Sequence, residues 1–438
     1  MKIVRLFVVL ALALAAFGFS GHAQAGAFTY TSGIQVQNLE ASEANVTLTY
    51  YAQDGTVAAN PSDTIAASGS KTYFPIHASD GFNGSVVISS DKQVASVVNI
   101  LGNNGAAAAS YVGTGTGSTT VLIPLLMKGN AGYNTWFNVQ NTGSADAAVS
   151  VAYSDGTNVG PVTIKAGASH TFDQATETHS AAVFSAVVTS DQPVAAAVIE
   201  ESSAVMFAYS GFAAGVTNPV MPLINANNGG YITGVQIQNA GDAATNVTVS
   251  YTPAGAGTAC TETRSIPAKG SVTFALAAFA NDNEPTVENC VGLARFVGSA
   301  AVTTNSGSQP LVAIINQLLP GRNGEAYGSF NASVAGTTVV MPLIMDDNGG
   351  YFTGFNVQNV GSAATTVNCT FTNSTYTVSA TLDAGEALND LQNDMGTTAY
   401  VGSATCTAGT GGQIVAVVNE LGASGSADQL LVYEGINP

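Results

Sequence analysis

The chain has 438 residues and a formal net charge of −18, with charged side chains at only 9% of positions and hydrophobic ones at 46%. The acidic balance excludes nucleic acid and anionic membrane surfaces as partners, since both need basic patches. The apolar content excludes a disordered chain, and a composition led by Ala, Gly, Val, Thr, Ser and Asn suits β-sandwich modules with polar, uncharged surfaces.

The first 25 residues read as a secretory leader. Lys2 and Arg5 supply the positive start, Leu6 to Phe17 the apolar stretch, and Ala23-Gln24-Ala25 a small-x-small cleavage site, so the mature chain is expected to begin at Gly26. Losing Lys2 and Arg5 takes the formal charge from −18 to −20. The stretch is short for a membrane span and no later segment is long and apolar enough, so no membrane insertion is expected. No Cys follows the leader to carry a lipid, and no C-terminal apolar tail or wall-sorting signal is visible. The expected location is the periplasm, the cell surface or the extracellular space.

One phrase then recurs four times. Gly33-Ile34-Gln35-Val36-Gln37-Asn38 returns as Trp136 to Asn141, Gly234 to Asn239 and Gly354 to Asn359. The spacing is about one small domain, which marks a tandem array. The boundaries are placed at 26–118, 119–216, 217–336 and 337–438.

The third repeat is the clearest. Val220-Met221-Pro222-Leu223-Ile224 is a short apolar strand whose Pro places it at a sheet edge. Asn227 to Gly230 is a turn. Tyr231 to Gln238 alternates, with Val235 and Ile237 on one face and Gln236 and Gln238 on the other. Asn239-Ala240-Gly241 ends it, Asn closing an Asx-turn. Asn246 to Tyr251 alternates again; Arg264 to Ile266 and Val272 to Phe274 read as a hairpin about Ala268 to Ser271. Phe296 to Thr303 and Leu311 to Ile315 complete six or seven strands in about one hundred residues, the signature of an antiparallel sandwich. Each repeat closes on a Tyr-Gly turn: Tyr111 to Gly113, Tyr209 to Gly211, Tyr327-Gly328 and Tyr433 to Gly435. The proline-bearing strand, centred on Pro124, Pro222 and Pro342, precedes only three of the four signatures.

The four cysteines allow three pairings. Each of the last two repeats holds one pair, which favours Cys260–Cys290 and Cys369–Cys406. Cys369 aligns with Val249 and Cys406 with Val302, inward positions of neighbouring core strands.

No catalytic constellation is visible: neither His-Glu-x-x-His, Gly-x-Ser-x-Gly nor Cys-x-x-Cys occurs. His170 and His179 share one repeat and read as surface loop residues. Gly113 to Gly117 lacks a Lys and reads as a linker rather than a phosphate loop. Asp346, Asp347 and Asn348 precede Gly349-Gly350 in what reads as a plain turn, although two acids and an Asn also offer the hard oxygen ligands that Ca²⁺ takes. Asn281 to Glu284 is a second cation candidate. No other cofactor is expected. Gln35, Gln37, Asn138, Gln140, Gln236, Gln238, Asn356 and Gln358 form an outward amide row. It reads as a solvated strand face; the same amides suit sugar hydroxyls or contacts between units. Trp136 stands where the other signatures have Gly, and one aromatic offers a sugar at most a single stacking surface.

The run of strand, Asn-x-Gly, Ala-Ala-Thr-x-Val-x-Val and Ala-x-Gly-Ser resembles bacterial immunoglobulin-like extracellular repeats such as the CARDB-like modules. The resemblance spans nearly all of the mature chain and carries over no catalytic residue. It implies four tandem antiparallel immunoglobulin-like β-sandwiches in a secreted, non-enzymatic structural or adhesive protein of the cell surface, matrix or a filament, its partners being further copies or surface glycans and proteins. The alternative expectation is a glycan-binding protein that uses the amide face.

Overall fold

The computed structural model describes residues 7–11, 26–275, 287–288, 290, 295–305, 309–393, 395, 399–422 and 428–438. The second cation candidate, 281–284, lies outside the described residues. The fold is all-β, built from antiparallel pairs, and it forms two compact units, Met1–Ala213 with Ala427–Gln429 and Ala214–Ser426 with Leu430–Pro438.

The sandwich of residues 338–438 shows the plan. One sheet runs Thr338–Asp346, Tyr400–Ala408, Thr365–Phe371, Thr377–Leu382. The facing sheet runs Ala387–Gln392, Tyr351–Asn359, Ile414–Gly422, Leu430–Glu434. The signature strand Tyr351–Asn359 is interior to its sheet, and its apolar residues Phe355 and Val357 are buried. The other three sandwiches repeat this order. In the second, the sixth and seventh strands run together as Val183–Glu201, a single strand that belongs to both sheets.

Two sequence expectations change. Arg264 to Ile266 and Val272 to Phe274 do not form a hairpin. Cys260–Ile266 pairs with Thr245–Ala256, whereas Ser271–Phe274 pairs with the signature strand Ile232–Asn239, so the turn between them crosses from one sheet to the other. The closing Tyr-Gly segments are strands rather than turns: Ala107–Val112, Met206–Ser210, Asn323–Gly328 and Leu430–Glu434. That gives eight strand positions per sandwich.

The proline strand lies at the edge of its sheet in the second and fourth sandwiches, and in the third only the two-residue strand Phe330–Asn331 pairs beyond it, at Pro219 and Val220. Ser118–Met127, Pro219–Ala226 and Thr338–Asp346 each pair with the sixth strand, and the register slips in every case across the proline, between Ile123 and Leu126, Met221 and Ile224, and Met341 and Ile344. Proline has no N–H to offer a ladder, so a bulge is where a strand can hold it. The residue after the proline is gripped instead by the closing tyrosine. The N–H groups of Leu125, Leu223 and Leu343 donate to the hydroxyls of Tyr209, Tyr327 and Tyr433 at 3.3, 3.1 and 3.1 Å. Those hydroxyls donate in turn to the carbonyls of the same three leucines. Burial pushes all three phenols up, which keeps them protonated as donors. Two residues further on, Thr135, Thr233 and Thr353 accept from the N–H groups of Met127, Asn225 and Met345 at 2.9, 2.8 and 3.2 Å.

The signature asparagine closes the other end. Asn38, Asn141, Asn239 and Asn359 are fully buried. Each Oδ1 accepts from the N–H two residues ahead, and each Nδ2 donates to the carbonyls of Ser42, Ala145, Ala243 and Ala363 at 2.7, 2.7, 2.7 and 2.8 Å. The same Nδ2 atoms reach the carbonyls of Ile65, Ile164, Ile266 and Leu382 at the end of the fourth strand.

Both expected disulfides are formed, Cys260–Cys290 and Cys369–Cys406. The second joins register partners in one sheet, so it is a bridge between adjacent strands. With a sequence separation of 37, the loop-entropy model assigns it roughly 3–4 kcal/mol. Cys369→Ala paired with Cys406→Ala is expected to lower the stability of the second unit by about that amount in urea titrations and to leave the first unit unchanged. Tyr327→Phe, which strands the Leu223 N–H and C=O, is expected to cost about 1–3 kcal/mol in the same assay.

Candidate functional site

The leading expectation puts the outward amides in solvent, with sugar hydroxyls or contacts between units as the alternatives. The structure buries all eight, Gln35, Gln37, Asn138, Gln140, Gln236, Gln238, Asn356 and Gln358. The reason lies in how the sandwiches pair within each unit. Trp136, Ala197, Ile199, Met206 and Ala208 of the second sandwich belong to the same apolar cluster as Phe28, Tyr30 and Val36 of the first. In the other unit, Val417, Leu430 and Val432 of the fourth sandwich join the core of the third. In strand register Ile199 stands opposite Trp136, and Val417 opposite Asn356. The face of the signature sheet that points away from its own core is therefore the face that meets the neighbouring sandwich.

The amides are used for bonding inside this contact. Gln35 Nε2 donates to Ser70 Oγ at 2.8 Å, and Gln236 Nε2 to Ser271 Oγ at 2.8 Å. Thr72 and Thr273 donate back to the Oε1 of the same glutamines. In the even-numbered sandwiches Gln140 and Gln358 donate to the carbonyls of Gly167 and Gly385 at 3.1 and 3.2 Å. Those two carbonyls also accept from the neighbouring sandwich, from Ser85 Oγ at 2.7 Å and Ser299 Oγ at 2.8 Å. The same three-residue junction thus occurs in both units: each unit is a copy of one two-sandwich module. Apolar clusters are thus shared by pairs of sandwiches.

Trp136 is not a sugar platform. It is buried edge-on against Tyr30, with ring centroids 5.6 Å apart. Tyr30 Oη donates to Glu201 Oε2 at 2.6 Å, and the Ala27 N–H donates to Glu201 Oε1 at 2.5 Å, tying the first sandwich to the second. Burial pushes the Glu201 carboxyl above its ordinary value of 4.5, with the Tyr30 and Ala27 hydrogen bonds opposing. In the other unit the Gly328 N–H donates to Glu434, whose carboxyl burial also raises.

The candidate cation loop is a tight turn. Asn348 and Tyr351 exchange backbone hydrogen bonds across Gly349 and Gly350, at φ 61° and 85°. Two successive positive φ values are what a two-residue primed turn requires. Asp346 Oδ2 accepts from the Met395 N–H at 2.7 Å, and Asp347 is exposed. Among the described residues no group of three or more His, Cys, Asp or Glu side chains gathers as a metal site would need.

His170 is exposed, on the strand Ser169–Asp173 rather than in a loop. The His179 side chain, by contrast, is enclosed. Its ring stacks on Phe184 at 4.1 Å, Nδ1 lies 3.1 Å from Asp155 Oδ2, and Nε2 lies 3.6 Å from Glu177 Oε2. Burial acts to raise the Asp155 carboxyl, but the Thr157 and Ser180 N–H groups outweigh it and hold it below its ordinary value. Tyr153 Oη donates to Glu177 at 2.7 Å. With His179 and Asp155 side chains both closed to solvent, this cluster fastens the 174–182 loop to the sandwich. Nothing in the chain's local pattern marked it, because its members meet only through the fold.

One open feature remains in the second unit. A groove of about 330 Å³ lies between the third and fourth sandwiches, with Asn225, Asn228, Arg295, Asn356, Asn389 and Asp390 along its walls. Of the eight expected ligand-binding amides only Asn356 lines it. No protein-family model and no curated protein matches this chain.

The raised Glu201 carboxyl sets a pH dependence. A carboxyl whose pKa rises on folding adds stability that is complete below its unfolded value and is lost as pH climbs through the folded value. The first unit of the native chain is expected to lose more stability than Glu201→Gln from about pH 4.5 towards neutrality, Glu177, whose carboxyl burial also raises, contributing alike to both; urea titrations across that range measure the difference.

Proposed function

We propose that this is an exported, non-enzymatic structural or adhesive protein, acting at the cell surface, in an extracellular matrix or in a filament. What supports the reading most is the use made of its polar side chains. The recurring amides, hydroxyls and tyrosines are buried, and those described above bond to the protein's own backbone, to hydroxyls of an adjacent strand or to the neighbouring sandwich, building one module twice. Two disulfides fit an oxidising compartment. Among the described residues no helix is long and apolar enough to cross a membrane. The resemblance of the repeats to bacterial immunoglobulin-like extracellular modules points the same way.

The test is fractionation of the producing cells with negative-stain imaging of the exported protein, alongside a panel of glycan, ester and peptide hydrolase substrates. The expected result is protein at the cell surface or in extracellular assemblies, without turnover. Turnover that a single polar substitution abolishes overturns the proposal.

The groove supports a second reading, a glycan-binding protein. Its walls carry amide donors and acceptors beside the apolar Leu391, which is 46% exposed; that mixture suits sugar hydroxyls and the apolar faces of a sugar ring. On a glycan array the native chain would then bind a defined oligosaccharide, and Asn389→Ala with Arg295→Ala would weaken that binding at least tenfold. An array without a reproducible ligand removes this reading.

A further inference from the structure

The first sandwich differs from the others at the place of the proline strand. Its edge slot, along the strand Gly84–Ser90, is filled by Phe7–Ala11 from the apolar part of the leader. Val9 stands opposite Ile88, as Val121 stands opposite Val188 and Val339 opposite Cys406. Ala11 stands opposite Val86, the place that Ile123, Met221 and Met341 take immediately before their prolines. Phe7–Ala11 therefore occupies the register of the part of the missing strand that precedes the proline.

The gripping residues are nevertheless present. Tyr111 pairs with Val98 as Tyr209 pairs with Val198, Tyr327 with Ile315 and Tyr433 with Val418. Ser32 precedes the signature at the position of Thr135, Thr233 and Thr353, so a hydroxyl is kept there too. Both are buried. In the other three sandwiches these two hydroxyls hold a strand of one kind: Val121 to Met127, Val220 to Ala226 and Val339 to Met345 are apolar throughout, with Pro-Leu at the bulge, except for Asn225. Sandwich one keeps the grip for such a strand, yet the residue run that fills the slot is part of a leader.

We propose that removal of the leader opens this slot and that it is then filled in trans by an extended apolar segment of another protein, with a hydrophobic-Pro-Leu-hydrophobic core. An added strand bonds through its main chain along Val86–Ser90, and Tyr111 and Ser32 select the Pro-Leu bulge, as strand addition at a sheet edge generally divides affinity and specificity. The open edge is also a hazard that a partner strand removes. The proposal rests on the reading of residues 1–25 as a cleaved leader, and the test separates the two.

The probe is a peptide of the chain's own residues 338–346, Thr-Val-Val-Met-Pro-Leu-Ile-Met-Asp, with a scrambled peptide as control. The chain beginning at Gly26 is expected to bind one peptide and to melt at a higher temperature with it. The chain that retains residues 1–25 is expected not to bind, because Phe7–Ala11 holds the place. Ser32→Ala with Tyr111→Phe should weaken binding at least tenfold while the far-ultraviolet spectrum is unchanged. Equal binding by the two chains, no binding by either, or no effect of the hydroxyl variant overturns the proposal. Concentration-dependent self-association of the Gly26 chain that the peptide cannot displace overturns it in favour of a second copy. Terminal sequencing of the exported protein that finds Phe7–Ala11 still attached overturns the leader reading and with it the open slot.

Discussion

The structure depends first on a buried side-chain amide. Every sandwich ends its signature strand on an asparagine whose oxygen holds the next turn and whose nitrogen holds two carbonyls, one in the following loop and one at the end of the fourth strand. These backbone groups lie where the ladders end, and a buried group without a partner costs about 1–3 kcal/mol. One residue thus fixes where the chain leaves the signature strand and where it crosses between the sheets. The central sheets can then be apolar inside without polar defects at their ends.

A second constraint follows at the opposite end. The proline strand must bulge, because proline cannot join the ladder, and the bulge frees a leucine N–H and C=O on a buried edge. The closing tyrosine accepts from one and donates to the other. Since the tyrosine belongs to the last strand and the leucine to the first, the edge is not closed until the sandwich has been made in full. The contact therefore links the two ends of the second, third and fourth repeats, 84 to 104 residues apart in sequence.

Much of this was legible in the sequence. The fourfold phrase, the edge position of the proline strand, the asparagine turn and the disulfide partners all rest on local pattern or on which repeat holds which residue. What escaped was relational. Alternation told which side of the signature strand faces its own core, but not that another sandwich covers the far side, so the amide row from Gln35 to Gln358 was assigned to solvent. Arg264 to Ile266 and Val272 to Phe274 look like a hairpin because a turn joins them; strand patterning does not record that the turn changes sheets. The tyrosines looked like turn markers because their partners lie a whole repeat away. Asp346 in its plain turn left a ligand role open as the alternative, because its partner, the Met395 N–H, is 49 residues further on.

The strand Val183–Glu201 brings the two sheets of the second sandwich close together along the chain. Its first part, to Ser190, is laddered to Ser118–Met127 and Ala147–Tyr153, and its last part, from Val194, to Asn134–Asn141; residues 191–193 between them carry no ladder partner. The Gln192 N–H donates to Ser190 Oγ at this crossing, as the Lys92 N–H donates to Ser90 Oγ in the first sandwich. Four Cα steps span at most about 14 Å. Neither sheet can therefore slide far along its strands without drawing the other with it.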